Sequence, residues 1–491
     1  VTTRDEARPD ALAALLLQHT TRSPDRVALA REGGTCTYAE LGAQVAAAAD
    51  RLRAHGLTPG GRVALWLPNG PALVVQYLAV LSAGGTAVLL GERWAADEVV
   101  HALDLARPAL GVTTPELLTQ LPADAGACFR TERARGPAPA EQGTLPAQIL
   151  FSSGTTGRPK GVALSAGNAA FVVRAKIAAF GLTEADRLPL VVPLTHCYGL
   201  NAILGPALAA GATVVLRTGL PEGRGAAWLR DVGATVLCAV PGTYRRLVDE
   251  GDLALPALRM AFSAAAPLPP ELGERWLRAT GQAIHQGYGL TESAPFATWE
   301  PEPGRYPDAV GLPVPGVEVR ITDPERGTPV ADGAAGEVEL RGPNVMLGYV
   351  GDAEATAAAV RDGWLRTGDI GRLDAAGRLR LTGRLKEMIN VNGLKAWPAE
   401  IERVLGAHPG VAEVAAFGVA DAATGERVEA AVVAPGAPAD LADRLVRHAR
   451  THLAPHKVPR RIHLLSQLPR NATGKLRRGE LTRVFSPTSL P

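Results

Sequence analysis

Lysine is scarce in this chain. Only six of its 51 Lys and Arg residues are lysine: Lys160, Lys176, Lys386, Lys395, Lys457 and Lys475. With abundant Ala and Gly, this bias reads as base composition in the source genome. A lysine that persists against it is selected for its compact ammonium, which a planar guanidinium does not replace. Net charge is scarce too, +2 from 51 basic and 49 acidic side chains, so nothing electrostatic favours a nucleic acid or membrane partner. The four cysteines, Cys36, Cys128, Cys197 and Cys238, form no C-x-x-C pair. That excludes a disulfide framework and a zinc site and fits a reducing, cytoplasmic location. The most apolar window, 72–90, is interrupted by Gln76, Ser82 and Gly84-Gly85. It reads as a buried helix, a turn and a strand, so no membrane span is expected. The first residues carry Arg4, Asp5, Glu6 and Arg8 and no signal-peptide pattern.

What is present suffices for two or more domains with a large core, since the chain has 491 residues, 46% of them apolar. Thr37-Tyr38-Ala39-Glu40 fits a capping box, followed by Leu41, Val45 and Leu52 at helical spacing. The run 62–67 reads as a strand, 71–82 as a helix and 86–90 as a second strand. This order predicts an α/β fold with parallel sheets and crossover helices. Residues 122–146 form a Pro-, Gly- and charge-rich connector. Beyond it a helix over 165–180 with Ser165 as N-cap, strands near 188–192, 213–216 and 235–239, and helices near 225–230 and 241–248 continue the alternation. From about 310 short alternating runs predict a small β-rich subdomain to about 382. A compact α+β C-terminal unit follows, with its last helix over 440–452.

The connector delivers the chain to Phe151-Ser152-Ser153-Gly154-Thr155-Thr156-Gly157-Arg158-Pro159-Lys160. Glycines let backbone N–H groups approach an anion, hydroxyls add donors and Lys160 adds charge, which suits the phosphates of a nucleotide. A P-loop is excluded, because Lys160 follows Pro159 and precedes Gly161, with no hydroxyl in the magnesium position. Taken alone the stretch reads equally as a surface turn.

Four further stretches carry chemistry. In Gly287-Tyr288-Gly289-Leu290-Thr291-Glu292 a tyrosine offers a flat face, a hydroxyl follows, and a carboxylate suits Mg²⁺. Asp369, beside Gly368, suits two ribose hydroxyls or a simple turn. Gly383-Arg384-Leu385-Lys386 and Asn392-Gly393 cluster where a hinge is plausible. Lys475 follows a tight turn near the chain end. Each alone reads equally as a turn or a core position.

Together, in this order, the five stretches resemble the adenylate-forming superfamily: acyl-CoA synthetases, aryl-CoA ligases, luciferases and the adenylation domains of peptide synthetases. The resemblance runs from Thr37 to Lys475. It implies a large N-terminal ATP- and acid-binding domain, 1–385, and a small mobile C-terminal domain, 386–491, hinged at Lys386. It implies activation of a small carboxylic acid by ATP with Mg²⁺, then transfer to coenzyme A or to a carrier-protein phosphopantetheine. By the same resemblance Ser152, Ser153, Gly154, Thr155, Thr156, Gly157 and Lys160 grip phosphates. Ala264, Ala265, Gly287, Tyr288 and Gly289 hold adenine, and Thr291 and Glu292 serve phosphate and Mg²⁺. Asp369 and Arg384 hold the ribose, Lys475 bridges the carboxylate and the α-phosphate, and Asn392 and Gly393 line a thiol tunnel. His196, Tyr198, Gly199, Ala202 and Ala266 form the acid pocket, the small residues leaving room for a ring.

Cys197 stands where amino-acid-activating domains carry Asp, which argues against an α-amino acid substrate. As strand neighbours, His196 and Cys197 are expected to point to opposite faces, which argues against a redox or nucleophilic thiol–imidazole pair. Ala396 and the shortened Leu476-Arg477-Arg478 depart from the family pattern on the face expected to meet the thiol. An acid–CoA ligase for an aryl or short-to-medium acyl acid leads. A stand-alone adenylating enzyme serving a carrier protein or an amine stands second, and a non-catalytic nucleotide-binding regulator third.

Overall fold

The computed structural model describes residues 8–122, 125–129, 144–152, 159–421, 423–470 and 476–486. The protein is mixed α/β, with a large N-terminal and a small C-terminal domain. Two compact units divide it: Val1–Val319 with Leu340–Arg366, and Arg320–Glu339 with Thr367–Pro491.

Among the described residues three sheets lie wholly within the first unit. In one, Pro146–Ser152 pairs in parallel with Thr86–Leu89, that strand with Arg62–Trp66, and that with Leu110–Thr113. The apolar run Arg62–Trp66 is buried at every position, as a parallel strand covered on both faces requires. Lys160–Ser165 returns antiparallel to Pro146–Ser152, and Gly348–Tyr349 adds antiparallel at the edge. A second sheet sets Val236–Ala239, Met260–Ser263 and Ile284–Tyr288 in parallel, then turns antiparallel through Thr298–Trp299 and Leu312–Pro313. A third joins Gly34–Thr37, Val27–Arg31, Thr213–Leu216 and Arg187–Leu190.

The helices start where their caps are written. Thr37 Oγ1 accepts from Glu40 N at 3.2 Å, and Glu40 Oε2 from Thr37 N at 2.8 Å. Ser165 and Asn168 close a second reciprocal cap, at 3.1 and 2.8 Å, on the helix Ala166–Phe180. Asn168 also donates from Nδ2 to Pro343 O and Val345 O, at 2.7 and 2.9 Å. One side chain thus starts this helix and anchors the segment leading to Gly348–Tyr349.

Short strands recur from Glu318–Thr322 through Gly336–Arg341 and Trp364–Leu373 to Leu379–Arg384, over the stretch expected to be β-rich. The division between the units falls within these strands.

In the second unit Glu413–Asp421 and Gly425–Val433 form a long antiparallel pair, with Arg461–Leu465 parallel to the latter and Ile389–Val391 antiparallel to it. Alternation splits its core. Ala430 and Val432 face Ile401, Leu441 and Leu445, while Ala431 and Val433 join Phe417, Leu468 and Leu481. Leu481 belongs to Arg478–Phe485, so Leu441–His452 is not the last helix as expected. The last helix is short, and its burial depends on a sheet face that sequence periodicity alone does not reveal.

Candidate active site

Ser152 and Lys160 are register partners across the antiparallel pair, so segment 153–159 joins two paired strand ends. Ser153, Gly154, Thr155, Thr156 and Gly157 lie outside the described residues, as does Lys475. Lys160 is described. Its Nζ stands 4.6 Å from the centroid of the Tyr349 ring, and the Tyr349 hydroxyl donates to Glu292 Oε1 at 3.0 Å. A cation, an aromatic face and a carboxylate therefore follow one another at the end of the hairpin. Burial first, and then the adjacent Glu292 carboxylate, hold the Tyr349 phenol well above its ordinary range. No sequence motif marks Tyr349, which stands between Lys160 and Glu292. Its signal is its place on the edge strand beside Lys160–Ser165, which is a tertiary fact.

Glu292 sits in the single turn Thr291–Ser293. Ser293, fully buried, accepts from Leu290 N at 3.0 Å and closes that turn, while Met346 N donates to Glu292 O at 2.9 Å. The carboxylate is thus aimed from a pinned backbone. Among the described residues no three His, Cys, Asp or Glu side chains group as a metal cage. Mg²⁺ that arrives with phosphate oxygens needs only one or two protein carboxylates, and Glu292 fits that role.

Tyr288 ends its strand with 8% of its surface exposed. The glycines beside it are required by packing. A Cβ on Gly287 would lie 2.7 Å from the Phe262 ring, and one on Gly289 would lie 2.0 Å from Pro295 O. Ala265 has φ +69°, a left-handed conformation that costs a non-glycine residue about 1 kcal/mol or more. It follows the strand Met260–Ser263, between Ala264 and Ala266, beyond the C-terminal ends of the parallel strands, where open α/β sheets place ligands.

His196 and Cys197 correct the expectation of opposed strand neighbours. His196 is the N-cap of the short helix Cys197–Gly199, its Nδ1 accepting from Tyr198 N at 3.2 Å. A neutral His196 therefore carries its proton on Nε2. The turn into the helix brings Cys197 Sγ to 3.8 Å from His196 Nδ1 and to 3.3 Å from Thr291 Oγ1. The strand rule fails here because the strand ends at Leu190 and Cys197 already begins a helix.

Tyr198 is buried, with its hydroxyl 3.3 Å from both Ala239 O and Phe262 O. Its hydroxyl is thus turned toward the ends of the parallel strands. Gly199 does not leave room for a ring as expected, because a Cβ there would meet Pro193 O at 2.3 Å. Ala202, 3% exposed, lies on the π-helical stretch Leu200–Leu204, a widened turn often found at functional sites.

In the second unit Asp369 and Arg384 are register partners, joined Oδ1 to Nε at 3.0 Å, with Asp369 5% exposed. Lys386 lies on the single turn Leu385–Glu387, and Glu387 is held by Arg478 at 3.2 Å. Asn392 and Gly393, at φ +53° and +80°, form the exposed two-residue turn between Ile389–Val391 and Leu394–Ala396. Two positive φ values are what a type I′ hairpin demands, and Asn-Gly is its preferred pair. Arg470 and Leu476 bridge at the base of the segment that holds Lys475.

The model of the AMP-binding enzyme family matches residues 16–350, and that of the AMP-binding enzyme C-terminal domain matches 400–475. Feruloyl-CoA synthase of Amycolatopsis sp. is 34% identical, over 97% of this chain and 100% of its own length. ATP-bound MatB from Rhodopseudomonas palustris superposes with a TM-score of 0.87 at 31% identity, covering 97% of this chain and 99% of that one. The amide bond synthetase McbA from Marinactinospora thermotolerans gives 0.86 at 30%, covering 98% and 100%. With both family models matched in order and relatives aligned nearly end to end, this chain belongs to the AMP-binding enzyme family, the adenylate-forming enzymes.

Proposed function

We propose that this protein is an acid–thiol ligase that activates a carboxylic acid, aryl or short-to-medium acyl, with ATP and passes it to coenzyme A. The observation that carries the reading is the succession of Lys160, Tyr349 and Glu292, which sets a cation and a carboxylate on one ring at the end of the hairpin.

In the first half-reaction a carboxylate oxygen attacks the α-phosphorus. The bond from that phosphorus to the bridging oxygen breaks, and pyrophosphate leaves with the bond's electrons. In the second, a thiol attacks the acyl carbonyl, AMP departs and the thiol proton is lost to solvent. Segment 152–160 binds the β- and γ-phosphates, and Lys160 neutralises charge on the leaving group. Glu292 would hold Mg²⁺, which would offset phosphate charge. Lys475 stabilises the two anions brought together at the α-phosphate. Fixed charge aimed at a transition state supplies about 3–4 kcal/mol in well-studied cases. Asp369, with Arg384 beside it, accepts from the ribose hydroxyls. His196, with its proton on Nε2, donates toward the acid carboxylate.

The C-terminal domain, 386–491, rotates about Lys386 against 1–385, so that Asn392 and Gly393 replace Lys475 for the second step. Acid-dependent ATP–pyrophosphate exchange across a panel of carboxylic acids tests the first step, and thioester formation with coenzyme A tests the second. Exchange without any coenzyme A thioester would favour the second reading, an acceptor on a carrier protein or an amine. The similarity to an amide bond synthetase is the observation that keeps that reading open.

A further inference from the structure

Four of the six lysines fall in or beside the motifs above, and Lys457 is accounted for by Glu400, which it meets at 2.7 and 2.9 Å. Lys176 remains. It lies on the helix Ala166–Phe180, 1% exposed, and its Nζ has no hydrogen-bond partner among the described residues. Three phenyl rings surround it instead, their centroids 3.5 Å (Phe262), 4.0 Å (Phe296) and 4.2 Å (Phe180) from Nζ. Burial lowers its pKa to about 7, against a smaller opposing effect of Cys238, so the neutral amine, which is still a donor, is within reach near neutrality. A leucine or methionine would fill this volume without a polar atom. A chain that has replaced lysine nearly everywhere keeps one here.

The position ties the amine to the acid-binding end of the first unit. Phe262 lies on the strand that runs directly into Ala264–Ala266. Its ring stands 6.4 Å from that of Tyr198, and its carbonyl lies within reach of the Tyr198 hydroxyl. Lys176 is therefore one ring behind the wall that Tyr198 and the alanine turn present. The π-helical stretch Leu200–Leu204 packs on the same helix as Lys176 and carries Asn201, 2% exposed, whose Nδ2 also has no partner among the described residues. Two unpartnered buried donors thus lie on two packed elements. Buried donors are nearly always satisfied, so two left open call for an explanation.

We propose that Lys176 is a specificity-determining residue that reads the end of the acid remote from its activated carboxylate, donating from Nζ to an oxygen acceptor there. The substrate is then an acid with a flat or apolar body and a distal hydroxyl or carbonyl oxygen. The body lies among the phenyl rings, one of which turns aside to admit the oxygen to Nζ. This rests on the acid-activating reading above. A site built around a polar partner rejects an analogue that lacks it, because its own donor is then left buried and unpaired.

Matched pairs of acids test it: cinnamate against 4-hydroxycinnamate, and 3-phenylpropanoate against 3-(4-hydroxyphenyl)propanoate. In pyrophosphate exchange the wild type should favour the oxygenated member by ~10-fold or more in kcat/KM, mainly through KM. Lys176→Met should bring the ratio to about one, by weakening the oxygenated member and strengthening the other, with nucleotide KM unchanged. A wild type without preference in either pair overturns the proposal, whether or not the variant folds. A ratio that survives Lys176→Met in folded protein overturns it too. Exchange with no acid at all would count against the acid-activating reading instead. Thermal-shift titration of the same pairs would then decide the inference, equal stabilisation by both members overturning it.

Discussion

At the residue scale the chain uses lysine where a point charge is wanted. Lys160 stands on the Tyr349 ring at the end of a hairpin, at the leaving-group end of the proposed reaction. Lys475 is assigned to the reacting phosphorus itself. Lys475→Ala is therefore expected to slow pyrophosphate exchange by ~10²–10³-fold, and Lys160→Ala by distinctly less. Equal or reversed losses would remove that division of labour. Lys176 is of another kind. Its folded pKa, about 7, lies below the ordinary lysine value of 10.5, so between these values the unfolded chain binds more protons than the native one. Stability from this group therefore rises with pH across that window. Lys176→Met should melt higher than wild type at pH 7, by an amount on the order of a few kcal/mol. The gap should narrow as pH rises toward 10. A gap independent of pH would show that the native amine is not kept neutral by burial.

At the element scale the parts were legible where local chemistry sets them. The caps at Thr37 and Ser165 and the helix Pro71–Ser82 formed as written, because their partners lie three or four residues away. The Asn392-Gly393 turn is equally local. Contacts made at long range were not legible. The sequence marks Asn168 only as a position in the first turn of a helix, yet its Nδ2 holds two carbonyls some 175 residues away, at Pro343 and Val345. Asn168→Ala is expected to destabilise the protein by ~2 kcal/mol, through the lost cap and the two stranded carbonyls. It should also raise the KM for ATP, because segment 343–349 carries Tyr349. Denaturant unfolding with nucleotide titration separates the two effects. Loss of stability with unchanged ATP affinity would show that Tyr349 is positioned from elsewhere.

At the scale of the whole molecule the two half-reactions are assigned to different groups of the C-terminal domain, Lys475 for adenylation and the Asn392-Gly393 turn for the thiol. Gly393 has φ +80° in open space, so a β-branched residue there is strained without meeting any neighbour. Gly393→Val should leave pyrophosphate exchange within about twofold of wild type and cut thioester formation by ~10-fold or more. Loss of both activities together would place the turn in the first step.

The sequence by itself determined the family, the order of the chemical groups and the identity of the residues that carry charge. These depend on residue types at short spacings, and a chain poor in lysine made the retained ones conspicuous. Tertiary structure alone decided which groups stand together. It set Tyr349 between Lys160 and Glu292, turned His196 and Cys197 toward one another at a helix start, and filled the space beside Gly199 with the carbonyl of Pro193. It also closed the Phe262 and Phe296 rings over Lys176, beside Phe180 of its own helix. The Lys160–Tyr349–Glu292 succession and the Phe262 and Phe296 rings around Lys176 follow from packing distant segments into one core, whereas the contacts at His196 and Gly199 follow from the turn that starts a short helix.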